Sequence, residues 1–185
     1  MLYGFLSREK HTNSSLPCMI NSVKSPSSHT TCVGLPEGVL WVHMSVSIED
    51  IEKFVNGQRL AVVSTIDGNG KPQAAVVEFG ELDGLTIVID TLKTSRKYRN
   101  LQASPHVAIV IGWDDNITVQ ISAVGHELGG AELERAKAAY FAKNPRAKKW
   151  ESRPDITYFA FVPHWIRYSD LNKTPWEVEE FDVAE

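Results

Sequence analysis

The stretch of sequence that decides the fold is Asp90-Thr91-Leu92-Lys93-Thr94-Ser95-Arg96-Lys97-Tyr98-Arg99-Asn100-Leu101. It follows an apolar run, Leu85–Ile89, that is typical of a β-strand, and it opens a helical pattern from Ser95 to Ala103. Hydroxyl groups and cations therefore fall where a strand ends and a helix begins. A helix N-terminus presents unpaired N–H groups and the positive end of the helix dipole, so it can bind an anion.

Thr94 or Ser95 can cap the start of this helix, and Arg96 and Lys97 then fall in its first turn. Cations at that end oppose the helix dipole, which is unfavourable unless an anion offsets them. We therefore interpret the stretch as a phosphate site. A solvated basic helix start is the alternative, and these residues alone do not separate the two.

Alternating and apolar runs on both sides of this stretch predict a chain of strands in hairpin order. The predicted strands are Leu60–Ile66, Gln73–Phe79, Leu85–Asp90, His106–Gly112, Ile117–Glu127, Ile156–Val162 and Trp165–Leu171, with a break at Pro163 between the last two. Ser47 and Asp50 resemble a capping box that starts a first helix, and Gly130–Ala142 predicts another. This pattern predicts a mainly β protein of the α+β type, built as an antiparallel barrel with flanking helices.

Length and composition limit the function classes. The 185 residues suffice for one domain with an appendage, and a net charge of −4 argues against a general nucleic-acid binder. No apolar run approaches the roughly 20 residues that span a bilayer, so we expect no membrane partner. Cys18 and Cys32 are the only cysteines, and the sequence shows no Cys/His metal cluster. We therefore expect no metal site and a cytoplasmic location.

Residues 1–43 differ from the rest of the chain because they are rich in Ser and Thr and lack sustained periodicity. Such a segment buries too little apolar surface to offset its ordering entropy. We expect a poorly structured N-terminal extension over 1–43, followed by the functional domain over 44–185. A transit peptide is the rival interpretation of the extension.

The order of the motifs resembles the pyridoxamine 5′-phosphate oxidase family, whose members are FMN-binding split barrels. A strand, a Thr, and then Ser-Arg-Lys open a helix that ends Asn-Leu-x-x-x-Pro-x-Val, and the resemblance extends over residues 47–171. It implies an antiparallel split β-barrel that works as a homodimer, with FMN between the subunits. Gln120 matches the family's Gln-x-x-x-x-Gly strand. The FMN-binding residues implied are Asp90, Thr91, Ser95, Arg96, Lys97 and Gln120.

The resemblance is weaker at the substrate site. Tyr140 matches a Tyr-Phe-x-x-x-Pro motif near the substrate, and Arg167 matches the first residue of an Arg-x-His-Asp motif. Other positions depart from the family pattern, several of them by loss of a cation. These positions are Gln73, Glu78, Asn144, Lys148, Ser169 and Leu171. We therefore expect the FMN site to be mostly kept and the pyridoxamine-phosphate site not to be.

The resulting expectation is a flavin-dependent oxidoreductase that acts on a small substrate the sequence does not name. No residue qualifies as a general base, so no catalytic residue is assigned. A flavin-binding module with a storage or stress role is one alternative, and a split barrel that holds the deazaflavin F420 or haem is another. The basic turn with Arg146, Lys148, Lys149 and Arg153 is either a solvated face or a contact for a second phosphate.

Overall fold

The computed structural model describes residues 46–183 of the chain, so the predicted extension over 1–43 lies outside the described residues. In the described part, the α-helices are α1 (Ile48–Gly57), α2 (Arg96–Ala103) and α3 (Gly130–Lys143). The strands are β1 (Leu60–Ile66), β2 (Pro72–Glu78), β3 (Gly80–Leu82), β4 (Thr86–Leu92), β5 (His106–Ile111), β6 (Ile117–Glu127), β7 (Ile156–Asp170) and β8 (Glu177–Asp182). The predicted capping box is present, because Ser47 accepts a hydrogen bond from the Asp50 amide and Asp50 accepts one from the Ser47 amide.

The strands form one curled antiparallel sheet in the order β2-β1-β5-β6-β7-β4-β3, and β8 pairs with β7. This is the mainly β split-barrel architecture that the sequence predicts. The long strand β7 connects the two halves, since its first part pairs with β4 and its last part with β8, while β6 runs along nearly all of it.

The core fills the inside of the curled sheet. Alternate residues of the strands point inward, among them Ile87 and Ile89 of β4 and Ile109 and Ile111 of β5, each with at most 1% of its surface exposed. Helix α1 adds Ile51 and Val55 to this core. Burial of this many aliphatic side chains is the main driving force for the fold.

Helix α3 packs on the outer face of the sheet, over β3, β4 and the first part of β7. A second apolar cluster forms there around Tyr140, with Val88 and Ala160 from the strands. Gly80 allows the close approach, because a Cβ at this position would lie 2.7 Å from the Tyr140 Cα. The fit fixes Tyr140 against the strand that leads into the predicted phosphate site.

The outer face of β2, β1, β5, β6 and the last part of β7 has no helix over it in the described part of the chain. One lateral row across these strands runs Val76, Val62, Val110, Gln120, Arg167, and a neighbouring row runs Ala74, Ser64, Ala108, Ser122, Trp165. We call this surface the open face. Most of its side chains are small or apolar.

The structure differs from the predicted strands in three places. Pro163 does not break the last long strand, because it lies at a β-bulge where Ala123 pairs with Pro163 and Ser122 with Trp165. The bulge leaves His164 without a partner in β6, although the His164 carbonyl accepts a hydrogen bond from the Val183 amide at 3.1 Å. Strand β7 therefore continues to Asp170. Strands β3 and β8 were not predicted. The strands also do not follow a simple hairpin order, because β2 does not pair with β3 and β4 pairs with β7 rather than with β5. Among residues 46–183, no helix is long and apolar enough to cross a membrane.

Candidate functional site

The connection between β4 and α2 is held by two hydroxyl groups. Ser95 is the helix N-cap, and its Oγ accepts a hydrogen bond from the Tyr98 amide at 3.0 Å. The Thr91 Oγ1, at the end of β4, lies 3.0 Å from the same Ser95 oxygen. Thr94 is exposed and offers only its carbonyl, which accepts from Arg99. Of the two predicted capping residues, Ser95 therefore performs the capping.

Two cations follow the cap, and no acidic residue lies in the first turn of α2. The Arg96 side chain is exposed, whereas Lys97 is half-buried. Burial lowers the pKa of the Lys97 ammonium, and the negative charge of Asp90 opposes that change. The helix start thus combines free backbone N–H groups, two hydroxyls and two cations, which is the set of donors that a phosphate monoester uses.

Asp90 lies one residue before Thr91 and points to the other face of β4, toward α3. Burial raises the pKa of the Asp90 carboxyl, and a hydrogen bond from Tyr140 and the charge of Lys97 offset part of the rise. Burial likewise raises the pKa of the Tyr140 hydroxyl, and the nearby Asp90 raises it further. Tyr140 is therefore a neutral donor beside a carboxylate, and it is only 1% exposed.

Tyr158 also belongs to this group, and the sequence analysis did not identify it. It pairs with Asp90 across the β4–β7 ladder, so the two side chains share a face. Burial raises the pKa of Tyr158 to about 12, with further contributions from the charges of Asp90 and Glu151. The Asp90–Tyr158 pair follows from the register of β4 against β7, and the sequence motif does not specify that register.

The other two predicted site residues lie elsewhere, on the open face. Gln120 of β6 pairs with Arg167 of β7, and the Arg167 Nη1 donates to the Glu180 carboxylate at 3.1 Å. The Arg167 Nε is buried and has no hydrogen-bond partner among the described residues. The structure therefore places Thr91 in contact with Ser95, and places Asp90 beside Tyr140 and Lys97 on the other face of β4. Arg96 is exposed at the start of α2, and Gln120 and Arg167 form a separate pair.

Two carboxylates near the cluster reduce its positive potential. Glu78, at the end of β2, forms an ion pair with Arg59 at 2.8 Å, and its charge raises the pKa of Asp90.

No group of three His, Cys, Asp or Glu side chains between residues 46 and 183 is arranged to hold a metal ion. The residues at the start of α2 fit the phosphate of FMN, because the first turn carries Arg96 and Lys97 and no acidic residue, and the nearby Glu78 is already paired with Arg59.

Asn144 holds the end of α3 rather than an open site. It is 4% exposed, and its Nδ2 donates to the Phe79 carbonyl at 2.7 Å and to the Tyr140 carbonyl at 3.2 Å. These bonds secure α3 beside the chain segment that joins β2 and β3. A residue engaged in this way is not free to bind a substrate phosphate.

Comparisons with known proteins agree with this architecture. The family model for pyridoxamine 5′-phosphate oxidase matches residues 47–170. A pyridoxine/pyridoxamine 5′-phosphate oxidase of Streptomyces avermitilis is 30% identical over 125 residues, which cover 62% of this chain and 54% of that protein. The chain thus spans about half the length of the curated relatives it matches.

Solved structures share the fold at lower identity. A haem-binding protein from Mycobacterium smegmatis superposes with a TM-score of 0.60 at 21% identity, covering 68% of this chain and 53% of that one. General stress protein 26 from Bacillus anthracis superposes with a TM-score of 0.58 at 22% identity, covering 73% and 97%. The family model matches well over half of the residues, in the region that forms the barrel. The chain belongs to the pyridoxamine 5′-phosphate oxidase family.

Proposed function

We propose that this protein binds FMN and uses it to oxidise or reduce a small molecule. The observation that carries the proposal is the start of α2, where Ser95 caps the helix, the Thr91 hydroxyl lies beside the Ser95 hydroxyl, and Arg96 and Lys97 occupy the first turn. An anion at this point would offset two cations that otherwise oppose the helix dipole. The family relationship supports FMN as the source of that anion, since oxidases of the family use this cofactor.

When bound, the flavin supplies the two-electron chemistry, and the protein supplies binding and orientation. Arg96 and Lys97 hold the phosphate, and the two hydroxyls of Thr91 and Ser95 fix its position. Tyr140 presents a neutral O–H beside Asp90, because burial keeps that phenol protonated. We assign no general base.

We propose further that the active form is a homodimer that buries the open face. In this family the flavin lies between two subunits, so residues of one subunit complete the pocket of the other. Gln120 and Arg167 lie on the open face and are distant in the sheet from the start of α2. A dimer accounts for their role, because they would serve the flavin that the other subunit holds.

The absorption spectrum of the purified protein tests the proposal. FMN gives two bands, one in the near ultraviolet and one in the blue, whereas F420 gives a single band and haem a sharp Soret band. We expect the flavin spectrum, either as purified or after FMN is added to the stripped protein. A Soret band together with no uptake of added FMN would contradict the proposal.

Turnover separates an oxidoreductase from a flavin-binding module with a storage or stress role. The bound flavin bleaches when it accepts an electron pair and recovers when it passes the pair on. We expect at least one small oxidisable compound in a screen to bleach the flavin under anaerobic conditions. A flavin that remains oxidised throughout and is released intact on unfolding would favour the module.

A further inference from the structure

Glu127, the last residue of β6, is a carboxylate that contacts four side chains in and around α2. Its Oε2 accepts hydrogen bonds from the Tyr98 hydroxyl at 3.3 Å and from the Gln102 amide nitrogen at 3.2 Å. Its Oε1 accepts one from the Thr157 hydroxyl at 2.6 Å and lies 3.5 Å from the Lys93 ammonium. One side chain therefore joins the helix, the loop before the helix and the start of β7.

The two helical partners of Glu127 lie on one face of α2. Tyr98 and Gln102 are four residues apart, so their side chains are neighbours on successive turns of the helix. The Tyr98 ring also packs edge-on against Phe159 of β7, with the ring centres 6.0 Å apart. Contacts on two successive turns hold α2 more firmly than a contact at one point, because they also resist rotation of the helix.

The same contacts lead to the proposed phosphate site. The Tyr98 backbone N–H is the group that donates to the Ser95 cap, so Tyr98 links the cap to Glu127. Thr157 pairs with Thr91 across the β4–β7 ladder. Each of the two hydroxyls of the proposed site therefore has a neighbour that Glu127 holds in place.

The charge of Glu127 does not by itself favour an anion at the start of α2. The hydrogen bond from Thr157 and the charge of Lys93 lower the pKa of the Glu127 carboxyl, so this side chain is ionised at neutral pH. A carboxylate repels a phosphate, although the adjacent Lys93 and the surrounding water weaken that repulsion. A favourable effect of Glu127 on phosphate binding therefore has to come from its four contacts.

We propose that Glu127 is a positioning residue for the phosphate site, which holds α2 and its preceding loop so that the cap and the first-turn cations meet the phosphate. The inference rests on the proposed function, because FMN is the ligand whose phosphate is positioned. The roles of charge and of position predict opposite results when the charge of Glu127 is removed. Loss of repulsion alone would strengthen FMN binding, whereas loss of the contacts that hold α2 weakens it.

The test measures the Kd of FMN and the Kd of riboflavin, which lacks the phosphate, for the full-length protein and for Glu127→Gln. This variant keeps the size of the side chain and removes its charge and one acceptor oxygen. The ratio of the two Kd values isolates the phosphate site, because a general loss of stability weakens both ligands alike. Glu132→Gln is the matched control, since Glu132 pairs with His126 at 3.0 Å and has no hydrogen bond to α2 among the described residues.

We expect Glu127→Gln to weaken FMN binding about 10-fold and riboflavin binding by no more than about 2-fold, and Glu132→Gln to change neither. Tyr98→Phe keeps the ring packing and loses the hydroxyl, so it should weaken FMN binding about 3-fold. The double variant Tyr98→Phe/Glu127→Gln should bind FMN about as weakly as Glu127→Gln alone, because the two residues act through one contact. Without flavin, the amides of α2 should exchange hydrogen faster in Glu127→Gln than in the control.

Unchanged or tighter FMN binding by Glu127→Gln would overturn the proposal, as would equal losses of FMN and riboflavin affinity. Urea denaturation of the flavin-free protein establishes that each variant is folded. A parent protein that binds FMN no more tightly than riboflavin would overturn the proposed phosphate site, and this inference with it. A preference for FMN that is present in the parent and persists in Glu127→Gln would overturn this inference alone, so the two failures are distinguishable.

Discussion

The Thr91 hydroxyl lies 3.0 Å from the Ser95 hydroxyl, and this contact joins the end of β4 to the start of α2. Ser95 is at the same time the cap of the helix. A single side chain thus stabilises the helix and fixes the geometry of the proposed phosphate site. Stability and cofactor affinity should consequently change together at this position.

Ser95→Ala should lower the free energy of unfolding by about 1 kcal/mol, because the Tyr98 amide loses its acceptor. FMN affinity should also fall. Thr94→Ala is the matched control, since Thr94 is exposed and its side chain caps nothing. Urea denaturation and FMN titration measure the two effects, and equal results for the two variants would remove Ser95 from both roles.

Lys143 joins three elements outside the flavin site. Its ammonium lies 2.6 Å from the Glu81 carboxylate, 3.0 Å from the Val55 carbonyl and 3.9 Å from the centre of the Phe79 ring. Lys143→Ala should cost about 2 kcal/mol of stability, because it leaves Glu81 mostly buried without its partner.

The control for this prediction is Lys53→Ala, which breaks an exposed pair with Asp50. An exposed ion pair contributes about 0.2–1 kcal/mol, so this variant should remain near the parent protein. Equal losses for the two variants in urea denaturation would show that burial of the Lys143 pair has no special weight.

The open face offers a direct test of the homodimer. Ala108 lies in the row of small residues at the middle of that face, so Ala108→Glu should place a charge where two subunits meet. We expect the parent protein to show twice the chain mass of 20.6 kDa in light scattering, and the variant to show a monomer that retains less FMN.

Ala142→Glu serves as the control, because Ala142 is an exposed residue of α3 away from the open face. It should remain dimeric and retain its flavin. If Ala108→Glu behaves in the same way, the open face is not the subunit interface.

The positions of most strands and the cap at Ser95 could be predicted from sequence because both depend on local patterns. The order of the strands in the sheet could not, since β1 pairs with β5 and β4 with β7, which lie far apart in the chain. The continuation of β7 through Pro163 could not be predicted, since a proline in the middle of this strand depends on the bulge opposite Ala123. Strand β8 was missed because it begins at Glu177, a residue 5% exposed that pairs with Lys173 at 2.6 Å. A buried acidic residue reverses the polarity pattern by which strands are recognised.

In the candidate site, too, the features set by neighbouring residues could be predicted and those set by long-range contacts could not. The sequence predicts the donors at the start of α2, which are neighbours in the chain. It does not predict that Asn100 is buried and donates to Thr65 and Gln73, at 3.0 and 3.1 Å, and so ties α2 to β1 and β2. Nor does it predict that Asp90 faces Tyr158, because that pair depends on the register of two strands far apart in sequence.

Pyridoxamine 5′-phosphate should be a poor substrate. Glu78 brings a negative charge where the family pattern has a cation, and Asn144 is committed to backbone carbonyls. A phosphorylated substrate binds more weakly when its charged partners are lost, and each ~1.4 kcal/mol of lost binding free energy lowers the affinity tenfold. Pyridoxal phosphate formed per bound flavin measures this, with a dedicated oxidase in the same assay. Comparable rates would restore the simple family activity.

The most direct test of the account is FMN binding by the double variant Arg96→Ala/Lys97→Ala. Each charge-assisted contact contributes about 1.5–3 kcal/mol, so loss of both should weaken FMN binding at least ~100-fold and leave the fold intact. The control, Lys53→Ala/Lys71→Ala, removes two exposed cations elsewhere and should bind FMN as the parent does. Retention of full FMN affinity by the folded double variant would contradict the phosphate site at the start of α2.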